Sequence, residues 1–295
     1  MSIASELNNL STNISNAYDT VETKGSTIPT NKNMVNLPTA IESISAGGTF
    51  VGIPKEVNQQ GVFGPVIEDT VFVLPEEAKN IESYTFWYAF YGSTGIKKFD
   101  AHSVERLSYG YAFARCCQNA SNLEEIDFSN LTQISMNASY AFQNAFASCT
   151  NLKEVSFPKL TLIGTQQAFN YAFSNCTSLT KAEFPLLQSV INTQGLGYAF
   201  QNCSNLTNVN FESLSNITGS SALTYTFRSC TSLEELRFPS LTTVGTSYTN
   251  QFNNMLSGVT GCTVHFPASM QATMGSWASV ANGFGGTNTT VLFDL

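Results

Sequence analysis

A repeat of about 27 residues runs through most of this sequence and restricts the folds that it can adopt. The four clearest copies begin at Leu152, Leu179, Leu206 and Leu233, and each reads Leu-x-x-apolar-x-Phe. Aligning the second apolar position extends the series to eight copies, at Phe72, Phe99, Ile126, Val155, Ala182, Val209, Leu236 and Val264. A unit of this length cannot bury its own apolar side, so the copies are expected to stack as a solenoid.

Each copy predicts a short strand followed by a short helical segment. In Leu152 to Phe157 the last apolar positions alternate with polar ones, which is the period of a strand with one buried face. In Tyr171 to Leu179 the apolar residues recur every three positions, which indicates one or two turns of α-helix or 3-10 helix. The sequence therefore predicts an α/β repeat solenoid of about eight rungs, with parallel strands and short helical or 3-10 turns.

The cysteines follow the same repeat. Four of the seven, Cys149, Cys176, Cys203 and Cys230, are 27 residues apart, and Tyr111-Ala-Phe113 with Cys116 is interpreted as an earlier copy of the same element. An odd count at one repeated position favours free buried thiols over a disulfide framework. Since Cys116 and Cys117 are adjacent and lack a second pair, no metal site is predicted, and no cofactor.

These elements resemble the BspA-type leucine-rich repeat over about Val71 to Pro267, through Leu-x-x-Val-x-Phe-Pro and Ala-Phe-x-x-Cys-x-x-Leu. The resemblance implies a right-handed, open-ended solenoid that serves as an adhesion or protein-recognition surface, without catalytic residues. The period here is about four residues longer than the family's, as in Gly164 to Asn170. We expect these inserts to project as a row of polar loops.

The N-terminal segment differs from the repeats. Residues 1–46 are predicted to be helical, because apolar residues follow heptad spacing at Ile3, Leu7, Leu10, Ile14, Ala17 and Val21. This seam either closes a two-helix hairpin within one subunit or drives self-association, for which a homotrimer is the expected state. This segment also resembles the N-terminal module of tail-fibre and baseplate-associated proteins from phages and prophages of gut bacteria, through Asn16 to Gly25, Ile28-Pro29, Asn31 to Asn33 and Asn36 to Ile44.

The remaining boundaries follow from composition and pattern. Residues 47–70 are predicted to be a linker or an atypical first rung, residues 71–267 the solenoid, and residues 268–295 a C-terminal cap. Within that cap, Thr290 to Phe293 is expected to add a last strand.

Charge and histidine content exclude several classes of function. The chain has 13 Lys+Arg against 21 Asp+Glu, with no basic stripe, which disfavours nucleic-acid binding. No apolar run approaches the length of a membrane span, so membrane insertion is not expected. His102 and His265 are the only histidines and lie far apart in the sequence, with no Ser or Cys nucleophile grouped with them. The sequence therefore predicts a protein that is not an enzyme.

The candidate binding residues lie on the outward face of the strands. Mixed charges and amides there are typical of a polar contact with protein or glycan, and the candidates are Lys153, Lys181, Asn208, Asn210, Glu235 and Arg237. The aromatic run from Phe86 to Tyr91 adds Trp87 and Tyr91, because Tyr88-Ala-Phe90 matches the core unit of the repeat. The expected partner is a bacterial surface protein or glycan.

Two functions fit these features. The first is a receptor-binding fibre of a phage or prophage tail, assembled in the host cytoplasm, which contacts other virion tail proteins through residues 1–46 and the host surface through its repeats. The alternative is a BspA-like adhesin on a bacterial cell surface, which binds host proteins or glycans.

Overall fold

The computed structural model describes residues 49–51, 70–74, 76, 78–81, 83–245, 251–274 and 281–295, which form a parallel β-solenoid. One side of the coil, the strand wall, is built from strands of three to five residues. These strands are β1 (Thr49–Val51), β2 (Thr70–Val73), β3 (Ile96–Asp100), β5 (Glu125–Asp127), β7 (Glu154–Ser156), β9 (Lys181–Glu183), β11 (Asn208–Asn210), β13 (Glu235–Arg237), β15 (Thr263–Phe266) and β16 (Thr290–Phe293).

The strand register confirms the predicted rungs. Phe72 pairs with Phe99 and Phe99 with Ile126, while Val155 pairs with Ala182. All eight aligned positions fall within strands of this wall, and β16 is the expected last strand. At the other end, β1 pairs in parallel with β2.

A second wall follows the strand wall in each rung and consists of two-residue strands. In chain order they are β4 (Arg106–Leu107), β6 (Gln133–Ile134), β8 (Leu162–Ile163), β10 (Ser189–Val190), β12 (Asn216–Ile217) and β14 (Thr243–Val244). They pair in parallel in that same order. After the second wall, the chain returns to the strand wall of the next rung along a third side of the coil.

This third side, the turn wall, is formed by residues 83–93, 109–120, 138–149, 166–176, 193–203, 220–230 and 251–259. Successive backbone N–H groups of the turn wall alternate between two acceptors. One donates to the carbonyl oxygen three residues earlier, as in a 3-10 helix, for example Ala114 N to Tyr111 O at 3.2 Å. The next donates to a carbonyl oxygen of the following rung, for example Phe113 N to Ala141 O at 2.8 Å. Every fourth residue is left-handed, for example Tyr111 at φ 59° and Arg115 at φ 56°. The helical prediction is thus realised as a chain of turns rather than as continuous helix.

The turn wall is built from a four-residue unit, and this unit explains the long period. Gln167-Ala-Phe-Asn170 precedes Tyr171-Ala-Phe-Ser174, so the four extra residues repeat the same left-handed turn. Ala168 and Phe169 are fully buried. The expectation of projecting polar loops is wrong, because each insert carries its own pair of core residues.

Phenylalanine ladders fill the core. From the strand wall comes a column of stacked rings, Phe128, Phe157, Phe184, Phe211, Phe238, Phe266 and Phe293. The turn wall adds two more columns, one of which stacks Phe146, Phe173, Phe200 and Phe227 at centroid distances of 5.4–5.8 Å. Stacked aromatic rings bury large apolar areas, and each column places one ring in every rung that it crosses.

The cysteines are free and buried, as predicted. Cys149, Cys176, Cys203 and Cys230 each direct the thiol to a carbonyl oxygen of the preceding rung, at 3.1–3.2 Å. Burial raises the pKa of the Cys176 thiol to about 12, so it stays protonated at neutral pH. Assigning Cys116 to this column was wrong: Ala120 occupies the position, because Tyr111 to Phe113 belongs to the first four-residue unit and Cys116 to the second.

The C-terminal end of the stack is covered by short elements. A 3-10 turn (Ala268–Met270), α1 (Gln271–Met274) and α2 (Ala281–Phe284) lead into β16. Met270, Met274 and Phe284 are buried, and the ring of Phe284 packs edge-on against Phe252. The heptad positions Ile3, Leu7, Leu10, Ile14, Ala17 and Val21 lie outside the described residues.

Candidate recognition surface

Charges on the strand wall are compensated within the wall itself. Lys181 Nζ lies 2.9 Å from Glu183 Oε1, and Arg237 Nη1 lies 2.7 Å from Glu235 Oε1. Each pair joins residues two apart on one strand, whose side chains share a face. Lys153 is exposed and has no ion-pair partner within the described chain.

The amide candidates divide into one free and one structural side chain. Asn208 is exposed on β11. Asn210 Oδ1 accepts a hydrogen bond from Glu212 N at 2.9 Å, and Asp127 closes the same kind of turn with Ser129 N at 2.8 Å. Asn210 therefore stabilises the bend at the end of strand β11, and its side-chain oxygen is less available to a ligand.

Each histidine lies between two carboxylates, at least one of which comes from a neighbouring rung. His102 places Nδ1 2.6 Å from Asp100 Oδ1 and Nε2 2.9 Å from Glu76 Oε1. His265 places Nδ1 2.8 Å from Asp294 Oδ1 and Nε2 3.1 Å from Glu235 Oε1. Both ring nitrogens are occupied in each case, so neither imidazole is positioned to activate a hydroxyl or a thiol.

The contacts of His102 shift the ionisation of the group. Its pKa is raised, first by the hydrogen bond to Glu76 and then by that to Asp100. Partial burial acts to raise the pKa of Asp100, but the hydrogen bonds from His102 outweigh it and the pKa is lowered. The charged pair is therefore favoured in the folded state.

We expect this pair to make folding pH-dependent. A pKa raised above the unfolded value of about 6.5 adds stability that is complete below that pH and lost as the pH rises through the folded pKa. Replacing His102→Gln should therefore lower the free energy of unfolding more at about pH 5.5 than at about pH 8.5. Urea denaturation of both proteins at the two pH values measures the difference.

The control for this prediction is Asp100→Asn. The asparagine keeps a side-chain oxygen that can accept the hydrogen bond from His102 N, but it lacks the negative charge of the aspartate. In that background the pH-dependent part of the His102→Gln effect should shrink. An NMR titration gives a direct check, with His265→Gln used to assign the two imidazoles. A midpoint for His102 at or below about 6.5 would contradict the prediction.

Tyrosines form ladders along the outside of the turn wall. Tyr84, Tyr111 and Tyr140 stack at 4.8–4.9 Å between ring centroids. Further along, Tyr171, Tyr198 and Tyr225 stack at 4.5–4.9 Å. All six have positive φ, between 51° and 62°. The tyrosine of the Tyr-Ala-Phe unit is thus half-exposed, and the expectation that it belongs to the core with Ala and Phe is wrong.

One rung carries more exposed aromatic surface than the others. Its four rings, which we call the aromatic arc, are Tyr84, Trp87, Tyr88 and Tyr91, and neighbouring centroids lie 5.0–5.5 Å apart. Tyr84 is 46% exposed and Tyr91 40%, while the other two are half-buried. The guanidinium of Arg115 lies 5.4 Å from the ring centroid of Tyr88. This is a short-range cation–π contact.

Comparison with known proteins places this repeat in a family. Residues 59–144 and 142–257 match the model of the BspA type leucine rich repeat region, in six copies. The chain belongs to the BspA-type leucine-rich repeat family. Among the curated proteins no relative matches it.

Two solved structures are similar to this BspA-type chain. A leucine-rich repeat protein from Bacteroides ovatus has 16% identity, with 78% of this chain and 73% of that chain covered and a TM-score of 0.28. A leucine-rich cell surface protein from Faecalibacterium prausnitzii has 14% identity, with 84% and 89% covered and a TM-score of 0.26.

The arc contains two residues that the repeat pattern identifies and two that it misses. Trp87 and Tyr91 are recognisable because neither fits the BspA-type core positions. Tyr84 and Tyr88 are four residues apart and occupy successive left-handed positions. The same spacing recurs at Gln167 and Tyr171, which is the signal that could have placed both tyrosines outside.

The described residues contain neither a metal-binding cluster nor a membrane-spanning helix. No cluster of three or more His, Cys, Asp or Glu side chains there could hold a metal ion. Nor does any helix in that part of the chain have the length and apolarity to cross a membrane.

Proposed function

We propose that this BspA-type chain is a non-enzymatic recognition protein that acts as an adhesin on a bacterial cell surface and binds proteins or glycans of another cell. The aromatic arc is the observation that carries the proposal. Tyr, Trp and Arg are the residues that most often supply binding energy at interfaces, and here they lie together on an open wall. Family membership supports a binding scaffold.

The proposal follows the adhesin hypothesis rather than the tail-fibre hypothesis. The family match covers residues 59–257, and no comparison supports a tail-fibre module at residues 1–46. A homotrimer formed through that segment, contact with virion tail proteins and a location in a phage tail stay predictions from the sequence.

Adhesion of coated beads tests the proposed function. Fluorescent beads carrying the full chain are incubated with a panel of gut bacteria and with intestinal epithelial cells, and albumin-coated beads give the background. We expect binding well above background on at least one cell type. If the full chain binds none of them, the proposed function is wrong.

Matched variants then distinguish the two candidate surfaces. The first variant combines Trp87→Gln with Tyr91→Gln and removes two rings of the arc. The second combines Lys153→Thr, Lys181→Asn and Arg237→Asn and removes three cations of the strand wall. Each replacement residue already occurs in the same outward column, at Thr180, Asn208 and Asn210. We expect the first variant to lose adhesion and the second to keep most of it. The reverse pattern would assign recognition to the strand wall.

A further inference from the structure

The repeat does not require aromatic side chains at two positions of the arc. The turn bond from Trp87 N to Tyr84 O recurs in the next five rungs, and so does the bond from Tyr91 N to Tyr88 O. The residues equivalent to Trp87 are Ala114, Gln143, Asn170, Gly197 and Thr224, and those equivalent to Tyr91 are Gln118, Ala147, Ser174, Gln201 and Arg228. Since small, amide and arginine side chains serve the fold there, the two rings need another explanation.

The two tyrosines of the arc occupy left-handed positions that belong to the repeat. Tyr84 and Tyr88 adopt φ of 61° and 58°, a region that costs most side chains about 1–2 kcal/mol and that Asn or Gly occupies more easily. Asn144 fills the position of Tyr88 two rungs later. Tyrosine also fills these positions in other rungs, at Tyr111 and Tyr140 for Tyr84 and at Tyr171, Tyr198 and Tyr225 for Tyr88, so the residues that distinguish this rung are Trp87 and Tyr91.

The polar ends of the arc are available to a ligand. The phenol hydroxyls of Tyr84, Tyr88 and Tyr91 make no hydrogen bond to another group of the described chain, and the same is true of the indole N–H of Trp87. In the second ladder, by contrast, the hydroxyl of Tyr225 accepts a hydrogen bond from Asn254 at 3.1 Å. The arc therefore offers four rings in a row with four unused polar groups at their edges.

The neighbouring surface favours one chemical class of ligand. Described residues 83–93, which contain the arc, include no charged side chain, and Arg115 of the next rung contacts Tyr88. The whole chain has a net charge of −8, which disfavours anionic polymers. Exposed large aliphatic side chains, which would enlarge a protein interface, lie elsewhere in the described chain, at Met136, Leu186, Ile191 and Leu292. A sugar ring has an apolar C–H face and a hydroxyl rim, which match an aromatic face and its polar edge.

We propose that the aromatic arc binds a neutral polysaccharide, with successive sugar rings against Tyr84, Trp87 and Tyr91 and their hydroxyls bonded to the free phenol and indole groups. This inference rests on the proposed function and names the ligand class of the same surface. The row of four rings, with neighbouring centroids 5.0–5.5 Å apart, is longer than one sugar ring, so a chain of several sugars should bind more tightly than a monosaccharide.

Affinity electrophoresis of the full chain tests the proposal. Gels containing laminarin, mannan, dextran, pullulan or arabinogalactan are compared with a gel containing heparin, which is anionic. We expect at least one neutral polysaccharide to slow migration, and Trp87→Gln with Tyr91→Gln to raise the dissociation constant about tenfold or more. Arg228→Gln is the matched control, since Arg228 occupies the Tyr91 position of a distant rung, and it should bind as the native chain does.

A spectroscopic readout locates the contact. In a Trp277→Phe background, Trp87 is the remaining tryptophan, and a sugar ring against it should shift its emission to shorter wavelength. Circular dichroism shows whether the variants keep the native fold. The proposal is overturned if no neutral polysaccharide retards the chain, if only heparin does, or if the double variant binds as tightly as the native protein.

The two proposals fail separately. If coated beads adhere to cells, but neither periodate treatment nor digestion of the periodate-resistant glucans with a β-1,3-glucanase changes adhesion, the ligand is a protein and the polysaccharide assignment is wrong while adhesion stands. If the chain binds a polysaccharide in gels but coats beads that adhere to no cell, the adhesin function is wrong and the carbohydrate site stands.

Discussion

Replacing Phe184→Ala is expected to lower the free energy of unfolding by about 3–5 kcal/mol. The Phe184 side chain is fully buried and lies in the middle of the stacked column, with ring centroids 5.3 Å from Phe157 and 5.7 Å from Phe211. Phe169 of the turn wall packs edge-on against the same ring at 5.9 Å. Phe200 of the turn wall also packs edge-on at 6.3 Å, so the substitution leaves a cavity bordered by four rings in two walls.

The loss should approach the upper end of that range because the solenoid limits relaxation. The rungs above and below are held in register by the pairing of β9 with β7 and β11, so neighbouring rings cannot move into the space without breaking backbone hydrogen bonds. Phe211 and Phe157 would each lose a stacking partner as well.

Leu186→Ala is the matched control, two residues further along the same rung. Leu186 is 48% exposed, so its truncation should change stability by no more than about 0.5 kcal/mol. Urea denaturation of both variants gives the comparison. Equal effects of the two substitutions would show that the Phe184 ring does not belong to a packed column.

Local alternation explains why the strand wall was predictable. Val155-Ser-Phe157 places two apolar side chains on one face, and the structure buries both while Ser156 stays half-exposed. The register follows from the constant period, which sets Val155 opposite Ala182. Both inferences need only the spacing of residues and the two-residue period of a strand.

The turn wall was harder to predict because residues other than Gly and Asn adopt left-handed backbone conformations there. Left-handed φ is ordinarily assigned to Gly or Asn, and the sequence places Tyr, Arg and Gln there, as at Tyr111, Arg115 and Gln167. Tyr-Ala-Phe also occurs in both four-residue units, which is why Cys116 was placed in the wrong column. Stacking between rungs, which no single rung reveals, stabilises these conformations collectively.

Only part of the aromatic arc could be predicted, because two of its residues have backbone conformations that the sequence does not reveal. Trp87 and Tyr91 depart from the repeat and could be identified, whereas Tyr84 and Tyr88 look like repeat residues until their backbone conformation is known. The internal ion pair between Lys181 and Glu183 reduces the case for the strand wall. It could have been inferred from their two-residue spacing on one face.

Gly219→Ala is expected to destabilise the protein by about 3 kcal/mol, because two rungs approach too closely there for any side chain. A Cβ atom at Gly219 would lie 2.1 Å from the carbonyl oxygen of Asn192 and 2.7 Å from its carbonyl carbon. These are backbone atoms of the preceding rung, held by the pairing of β10 with β12, so no side-chain rotation relieves the clash. The rungs would have to separate locally, which weakens bonds such as that from Gly219 N to Val190 O.

Gly92→Asn is the control that separates this steric requirement from a conformational one. Gly92 has φ +67° with no atom within 4 Å of an added Cβ, and Asn119 adopts φ 64° at the equivalent position of the next rung. Asn should therefore replace Gly92 at a cost below about 0.5 kcal/mol, because it tolerates the left-handed region. Thermal unfolding of both variants tests the contrast. A Gly219→Ala protein as stable as the native chain would mean that the two rungs are not in close contact at Asn192, and the tight stacking of the solenoid at this corner would have to be revised.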